Sequence, residues 1–199
     1  MENQSVNPKG TTIKINGIAY VSTERRLALV RREKPSREEV VELVKAANSS
    51  RNLVDLRRMD LSGLELNELD LSGADLSNAN LSSAYLRKTR LYQAKLIEAD
   101  LTDAKLFRAD LSEAWLNGAN LTKASFYMAT MECADLSNAN LNSANFRAAL
   151  LYAVNLTGVT GLETAKVGHA ITIKMVVPNE EHRKLFVAER DKAKQDMFD

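Results

Sequence analysis

The stretch "ADLSNANLSSAYL", residues 74–86, places leucine at every fifth position and alanine two residues before each leucine. The same spacing runs without a gap from residue 54 to residue 158, which is 21 units of five residues. Alanine keeps its place in every unit from Ala74 to Ala149 except at Thr89. The apolar residue at the fifth position is leucine with three exceptions: Phe126, Met131 and Phe146.

This five-residue period fits neither a helix nor a flat strand. Five residues turn an α-helix through about 500°, so successive leucines would point about 140° apart and form no apolar stripe. In a flat strand an odd repeat would send alternate leucines to opposite faces. The pattern instead predicts a chain that bends once per unit, because the two residues between units are turn formers such as Ser-Asn, Thr-Asp and Asn-Gly.

The stretches "ADLSNANLSSAYL", "ADLTDAKLFRADLSEAWLNGANL" and "ADLSNANLNSANF" resemble the A(D/N)LXX pattern of the pentapeptide-repeat family. The resemblance implies a mainly β fold, a right-handed quadrilateral β-helix with four units, hence twenty residues, per coil. We therefore expect about five coils over residues 54–158, with small α/β segments at both ends. Side chains twenty residues apart would then lie above one another on the same wall.

The N-terminal segment, residues 1–53, carries signals for a hairpin and a helix. Two β-favouring runs flank Asn16-Gly17, which predicts a two-residue hairpin that either pairs along the rod or forms a small lobe with the basic stretch "RRLALVRREK" that follows. Ser36 and Glu39 form a capping box before a helix at about residues 36–48. Its apolar face is expected to cover the first coil, with four residues at helical spacing: Val40, Leu43, Val44 and Ala47.

The C-terminal segment, residues 159–199, predicts a strand at 170–177 and a helix after Pro178. This helix has an apolar side formed by Leu185, Phe186, Ala193 and Met197. That side either covers the last coil or makes a homodimer. Resemblance to the topoisomerase-protecting branch of the family, in which a C-terminal helical module forms the dimer, supports the second alternative.

The sequence shows no sign of catalytic, cofactor or metal chemistry. Cys133 is the only cysteine, and neither His169 nor His182 has a metal-ligand spacing or a paired nucleophile. Glycine-rich phosphate loops are absent, and the column of carboxylates is mixed with other residue types. No run of apolar residues is long enough to span a membrane, and no secretory signal begins the sequence. We therefore expect a cytoplasmic protein that is not an enzyme.

The twenty-residue offset sorts the outward side chains by wall. One wall, which we name the Asx wall, exposes Asp60, Asn80, Asp100, Asn120 and Asn140 with small hydroxyl residues. The wall centred on residues 66, 86, 106, 126 and 146 differs, because after the first coil it holds no acidic residue. We name it the basic-aromatic wall for these residues: Tyr85, Arg87, Lys88, Lys105, Phe107, Arg108, Tyr127, Met128 and Arg147.

On this wall Phe107 and Tyr127 are expected to stack, bracketed by Arg87 and Arg147. Exposed aromatic residues ringed by arginine are typical of protein interfaces. The alternative is an aromatic ladder that only stabilises the wall. A secondary spot on the neighbouring wall combines Ile97, Trp115 and Lys95.

These features predict a non-enzymatic interaction or scaffold module with a protein partner. Two other functions stay open. One is protection of a topoisomerase by DNA mimicry, which the resemblance suggests, although mimicry needs negative potential and residues 51–160 carry 11 basic against 13 acidic residues. The other is weak nucleic-acid binding through the basic-aromatic wall.

Overall fold

The computed structural model describes residues 11–15, 18–23, 26–29, 34–50, 52–170, 176, 184 and 186–187. Its body is a right-handed quadrilateral β-helix, as the family resemblance implied. Parallel bridges join residues twenty apart in four columns, for example Asp60 to Asn80, Tyr85 to Lys105 and Arg90 to Asp110. Twenty residues therefore complete one coil, and the predicted period is confirmed.

Each five-residue unit is one short extended step followed by one turn. In the step, the Leu81 N–H donates to the carbonyl of Asp100 on the next coil at 2.6 Å. In the turn, the Ala84 N–H donates to the Leu81 carbonyl at 3.0 Å. The second turn residue takes a left-handed conformation, with φ 57° at Ser83 and 63° at Gly63. This turn bends the chain and sends the next leucine inward.

The interior of the rod is a filled stack of leucine and alanine. Every leucine at the fifth position of its unit, from Leu56 to Leu141, is fully buried, as are most of the alanines. Thr89 occupies one alanine position, where its buried hydroxyl donates to the Leu66 carbonyl at 2.8 Å. Phe126 and Phe146 stack face to face inside the rod, with ring centroids 5.0 Å apart. The filled interior leaves only outward side chains for contacts with other molecules.

The N-terminal segment extends one wall of the rod. Strands β1 (Thr11–Ile15), β2 (Ile18–Thr23) and β3 (Arg26–Leu29) form an antiparallel meander. The predicted hairpin is confirmed, because Ile15 pairs with Ile18 across the two intervening residues. Strand β3 then pairs in parallel with β4 (Leu53–Asp55), which begins the first coil. The hairpin itself therefore pairs with the basic stretch "RRLALVRREK", as the second alternative predicts, and β3 from that stretch joins the sheet to the rod.

Helix α1 spans Arg37–Ser50 and covers the first coil. The capping box forms as predicted, with the Glu39 N–H donating to the Ser36 hydroxyl and the Ser36 N–H donating to the Glu39 carboxylate. The apolar face of α1 joins the buried core of the rod, with Val40 and Leu43 fully buried. The Arg37 guanidinium also donates to the Glu65 carbonyl on the first coil at 2.8 Å.

At the other end the repeat slips by one residue. A 3₁₀ helix, Leu162–Thr164, follows Gly161, and Asn145 then bridges Lys166 instead of the residue twenty positions on. Gly161 has φ +73°, and a Cβ there would lie 2.6 Å from the Asn142 backbone nitrogen. Coil geometry therefore continues beyond the predicted end at residue 158.

The C-terminal segment is described at a few residues only. Val176 bridges Asn155, in agreement with a strand at that position, and Phe186 belongs to the same buried cluster as the coils. The burial of Phe186 supports the alternative in which the helix covers the last coil. The other residues assigned to its apolar side, Leu185, Ala193 and Met197, lie outside the described residues.

Candidate interaction surface

The aromatic stack on the basic-aromatic wall forms as the twenty-residue offset predicts. Phe107 and Tyr127 have ring centroids 5.8 Å apart and an interplanar angle of 20°. This spacing lies in the range of offset-stacked aromatic pairs. The turn geometry produces the stack, since both residues are the first turn residue of their unit and lie on adjacent coils. The pair lies on the outer face of the wall, and the Phe126–Phe146 stack lies on the inner face of the same wall.

Two guanidinium groups flank the outer stack. The Arg87 guanidinium carbon lies 5.9 Å from the centre of the Phe107 ring, and that of Arg108 lies 5.1 Å from it. Cations at this distance from a ring face are attracted by its quadrupole. Arg147, predicted to bracket the stack, lies next to Tyr127 and lines the same surface depression. The structure thus brings both predicted arginines to the stack.

Most of the basic side chains on this wall have no acidic partner. Lys88 pairs with Glu68 of the first coil at 3.2 Å. Among the described residues, four further cations on the wall make no ion pair: Arg87, Lys105, Arg108 and Arg147. The wall also exposes large apolar side chains, with Tyr85 48%, Tyr127 42% and Met128 38% accessible. Positive charge and exposed apolar surface therefore coincide.

The outward Asp and Asn side chains of the Asx wall accept hydrogen bonds from turns of the rod itself. The carboxylate of Asp100 accepts hydrogen bonds from the Thr102 N–H at 2.9 Å and from the Thr102 hydroxyl at 2.6 Å. Asn120 accepts the same two bonds from Thr122. The remaining Asp and Asn residues of this wall accept the N–H two residues on: Asp60 from Ser62, Asn80 from Ser82 and Asn140 from Asn142.

The basic-aromatic wall lacks this capping over two coils. The capping residue stands two positions before the turn N–H that it accepts. On this wall that position is Lys105 for Phe107 and Ser125 for Tyr127. Within the described part of the chain, the backbone N–H groups of Phe107 and Tyr127 have no protein acceptor. One coil later the cap returns, because the Arg147 N–H donates to Asn145 at 3.1 Å. The sequence analysis missed these free donors, although a non-Asx residue before the turn signals them.

A surface depression of about 500 Å³ lies at the C-terminal end of the wall. Tyr127, Asn145, Arg147 and His169 line it, together with the backbone of Gly168. His169 was predicted to have no catalytic role, and it lies here on the exposed second position of a turn. The depression combines an aromatic ring, a guanidinium and an imidazole, which is a setting suited to an anionic group.

The three residues of the secondary spot, Lys95, Ile97 and Trp115, lie on one wall as predicted. The Lys95 ammonium lies 5.2 Å from the centre of the Trp115 ring, which is 49% accessible. Trp115 lines a depression with Gln93, Glu113 and the exposed Cys133. Ile97 lies in a different depression on this wall, together with Lys95 and Arg57. The three predicted residues therefore share a wall, with Lys95 beside the ring and also next to Ile97.

Several aspartates away from the basic-aromatic wall have lowered pKa values. Burial, the largest influence at Asp135, acts to raise its pKa, but hydrogen bonds from Ser137, Asn117 and Asn155 together lower it. Asp70 behaves similarly, with Ser72 and Arg90 outweighing burial. At Asp60 the hydrogen bonds from Ser62 lower the pKa. These carboxylates are held in their charged form by the turns they cap.

Within the described residues, no group of three or more His, Cys, Asp or Glu side chains is arranged to hold a metal ion. Over the same residues, no helix combines the length and the apolar character needed to cross a bilayer.

Comparison with known proteins identifies the repeat. A family model described as pentapeptide repeats matches eight copies in overlapping stretches between residues 52 and 160, more than half of the chain. No curated protein gives a significant match.

Solved structures of pentapeptide repeat proteins resemble the chain. A protein from the thylakoid lumen of Arabidopsis thaliana is 32% identical over 52% of this chain and 69% of its own, with a TM-score of 0.45. The protein alr5209 from Nostoc PCC 7120 is 33% identical over 55% of this chain and 84% of its own, with a TM-score of 0.47. QnrB1, a plasmid-mediated fluoroquinolone resistance protein, is 15% identical over 70% of this chain and 84% of its own, with a TM-score of 0.37.

Proposed function

The chain belongs to the pentapeptide-repeat family, and we propose that it is a non-enzymatic interaction module that presents the basic-aromatic wall to a protein partner. The observation that carries the proposal is the outward Phe107–Tyr127 stack, whose tyrosine is exposed and whose phenylalanine is half-buried. Among the described residues, most of the cations around it have no acidic partner. Interfaces are enriched in aromatic residues and arginine, and their central anchors contribute most of the binding energy.

Rigidity is the second support. Backbone hydrogen bonds join each coil to the next on all four sides, so the outward side chains start from fixed positions. A surface that is already ordered loses little conformational entropy when it binds. The same regularity favours binding over catalysis, because the walls present their polar groups as parallel columns and not as a convergent set in a cleft.

The test is affinity capture from native lysate with three forms of the protein. The intact chain is compared with the double variant Phe107→Ser/Tyr127→Ser and with a matched control, Tyr92→Ser/Tyr152→Ser. Like the wall variant, the control removes one exposed and one half-buried aromatic residue, and it does so on another wall. We expect the intact chain and the control to retain the same identified partner and the wall variant to lose it.

Thermal melting of all three forms separates a lost contact from a lost fold. The substituted side chains lie on the surface, so each double variant should melt close to the intact chain. Partner capture that survives in the wall variant would contradict the proposal.

Direct binding of single-stranded nucleic acid is a second candidate, favoured by the same stack. Bases stack on exposed aromatic rings, and neighbouring arginines contact the phosphates. Such binding should weaken steeply as salt rises, because phosphate contacts release counterions. A mobility shift with a single-stranded oligonucleotide at low and physiological salt measures it, and the absence of a shift at low salt would exclude this candidate.

A further inference from the structure

The charge of the basic-aromatic wall indicates an acidic partner. From the second coil onward the wall carries five basic residues and no acidic one, and only Lys88 is neutralised, by Glu68. An interface normally places complementary charge opposite such a patch. The acidic residues of the first coil, Glu65 and Glu68, bound the patch at its N-terminal end. The patch is therefore short along the rod.

The free backbone donors point to the same chemistry. On the Asx wall a carboxylate or amide oxygen caps the turn N–H two residues on, as Asp100 does for Thr102. At Phe107 and Tyr127 that oxygen is missing, while Arg87, Arg108 and Arg147 lie beside the two rings. Carboxylates form their strongest hydrogen bonds with guanidinium and backbone N–H donors. An extended segment from another molecule would supply the missing acceptors through its peptide carbonyls, while its carboxylates pair with the guanidinium groups.

The spacing of the coils sets the length of a peptide segment that could reach both ends of the basic patch. Arg87 and Arg147 are three coils apart, which is about 14 Å at the ~4.8 Å spacing of β-strands. An extended peptide rises about 3.4 Å per residue and places alternate side chains on one face, so four residues also span about 14 Å. The side chain midway then falls between the third and fourth coils, where Phe107 and Tyr127 stack.

We propose, resting on the proposed function, that the partner contributes an extended acidic segment with two carboxylates four residues apart and an aromatic residue midway between them. The segment lies along the rod axis. Its carboxylates bind near Arg87 and Arg147, the second in the depression that His169 also lines, and its aromatic ring packs on the outer stack.

A peptide is favoured over a nucleic acid because the rest of the rod is not basic. Residues 51–160 carry a net charge of −2, and the Asx wall and the first coil present carboxylates on either side of the patch. A long polyanion would meet these carboxylates, whereas a segment of five residues fits between them.

The experiment is a titration of the isotope-labelled full-length protein with capped peptides, followed by backbone amide shifts. The probe contains Glu-Ser-Phe-Ser-Glu flanked by Gly and Ser, and its isomer has the same composition with the two Glu residues adjacent. We expect the probe to shift the amides of Phe107 and Tyr127 and to bind about tenfold more tightly than the isomer. Equal binding of the two peptides, or no shift at millimolar probe, would overturn the proposed segment.

Charge reversal tests the two ends. Arg87→Glu/Arg147→Glu should weaken binding of the probe at least about tenfold and should bind the Lys-Ser-Phe-Ser-Lys peptide in its place. The control Arg58→Glu/Lys123→Glu changes net charge equally at exposed turn residues outside the wall and should bind the probe as the intact chain does. If the control loses binding as fully, the effect is one of net charge and the proposal is wrong.

The outcomes separate this inference from the proposed function. If lysate capture depends on Phe107 and Tyr127 but the probe does not bind, the wall docks a partner of different chemistry. If the probe binds but capture is independent of both residues, the wall is not the docking surface. A single-stranded oligonucleotide that displaces the probe at physiological salt and binds more tightly would assign the wall to nucleic acid.

Discussion

On the Asx wall the carboxylate of Asp100 accepts hydrogen bonds from Thr102, whereas on the adjoining basic-aromatic wall Lys105 leaves the Phe107 N–H without an acceptor. The two walls have the same strand spacing, and both bury inward leucines over the first three coils. Over the last two coils the basic-aromatic wall buries Phe126 and Phe146 instead. The difference that matters for recognition lies in the outward side chains. One set completes the hydrogen bonding of its own turns, and the other leaves donors and cations exposed.

The comparison shows how a repeat separates folding from recognition. Inward positions tolerate little change because every coil packs on its neighbours, so leucine and alanine recur there. Outward positions make few contacts with the core, and their composition is free to differ from wall to wall. Among the described residues, the turn N–H groups of Ile97 and Asn117 on another wall also have no protein acceptor. A partner is therefore expected where uncapped turns coincide with stacked aromatic rings and unpaired cations, as on the basic-aromatic wall.

The largest predicted effect tests the claim that the two walls are alike inside where both bury leucine. Leu121→Ala on the Asx wall and Leu106→Ala on the basic-aromatic wall each remove a fully buried side chain. Both should lower the free energy of unfolding by about 2–5 kcal/mol, and by similar amounts. Chemical denaturation of the two variants measures this, and a large difference between them would show that the walls do not share one kind of interior.

The second prediction concerns the caps. Asp100→Ala leaves the Thr102 N–H and hydroxyl without their acceptor and should lower the free energy of unfolding by about 1–2 kcal/mol. Lys105→Ala, at the equivalent position of the next wall, should change it by less than about 0.5 kcal/mol. Denaturation curves for the pair decide the point. Equal losses would mean that the Asx caps do not stabilise the turns.

A smaller effect is expected from pH. The folded protein lowers the pKa of Asp135 below its unfolded value, so the stabilisation is present above that unfolded value and is lost as pH falls toward the folded pKa. Asp135→Asn keeps a side-chain oxygen for the Ser137 N–H but does not titrate. Between pH 6 and 3 the variant should therefore lose less stability than the intact chain in denaturation experiments. If the stability of the variant and of the intact chain fell in parallel with pH, the pKa of Asp135 would not be linked to stability.

The smallest effect on stability is expected at the outer stack. Phe107→Ser/Tyr127→Ser removes a stacked but solvent-facing pair, which contributes about 0.5–1.5 kcal/mol. The melting temperature should fall by only a few degrees, about as much as for Tyr92→Ser/Tyr152→Ser. A loss as large as that of Leu106→Ala would indicate that the stack serves the fold.

Much of this architecture follows from the residue pattern. The five-residue spacing excludes helix and flat sheet, and the twenty-residue coil implied by the family resemblance then places Phe107 above Tyr127. Ser36 and Glu39 predict the start of the helix because a capping box is a local signal. The antiparallel hairpin at residues 15–18 is equally local.

Features that depend on contacts between distant segments were not predicted. The pairing of β3 with β4 joins residues 26–28 to 53–55, and no local pattern specifies such a parallel pair. The one-residue slip after Gly161 depends on the close approach of Asn142. The free N–H groups of Phe107 and Tyr127 follow from a missing cap, which is visible only when each turn is compared with its neighbours.

Residue-resolved amide hydrogen exchange on the free protein tests the difference between the walls most directly. After correction for intrinsic rates, the amides of Thr102 and Thr122 should exchange at least about tenfold more slowly than those of Phe107 and Tyr127. Arg147, which Asn145 caps on the basic-aromatic wall itself, should behave like the threonines. Equal protection at Phe107, Tyr127 and the capped positions would contradict the account, because the donors assigned to a partner would then already be bonded.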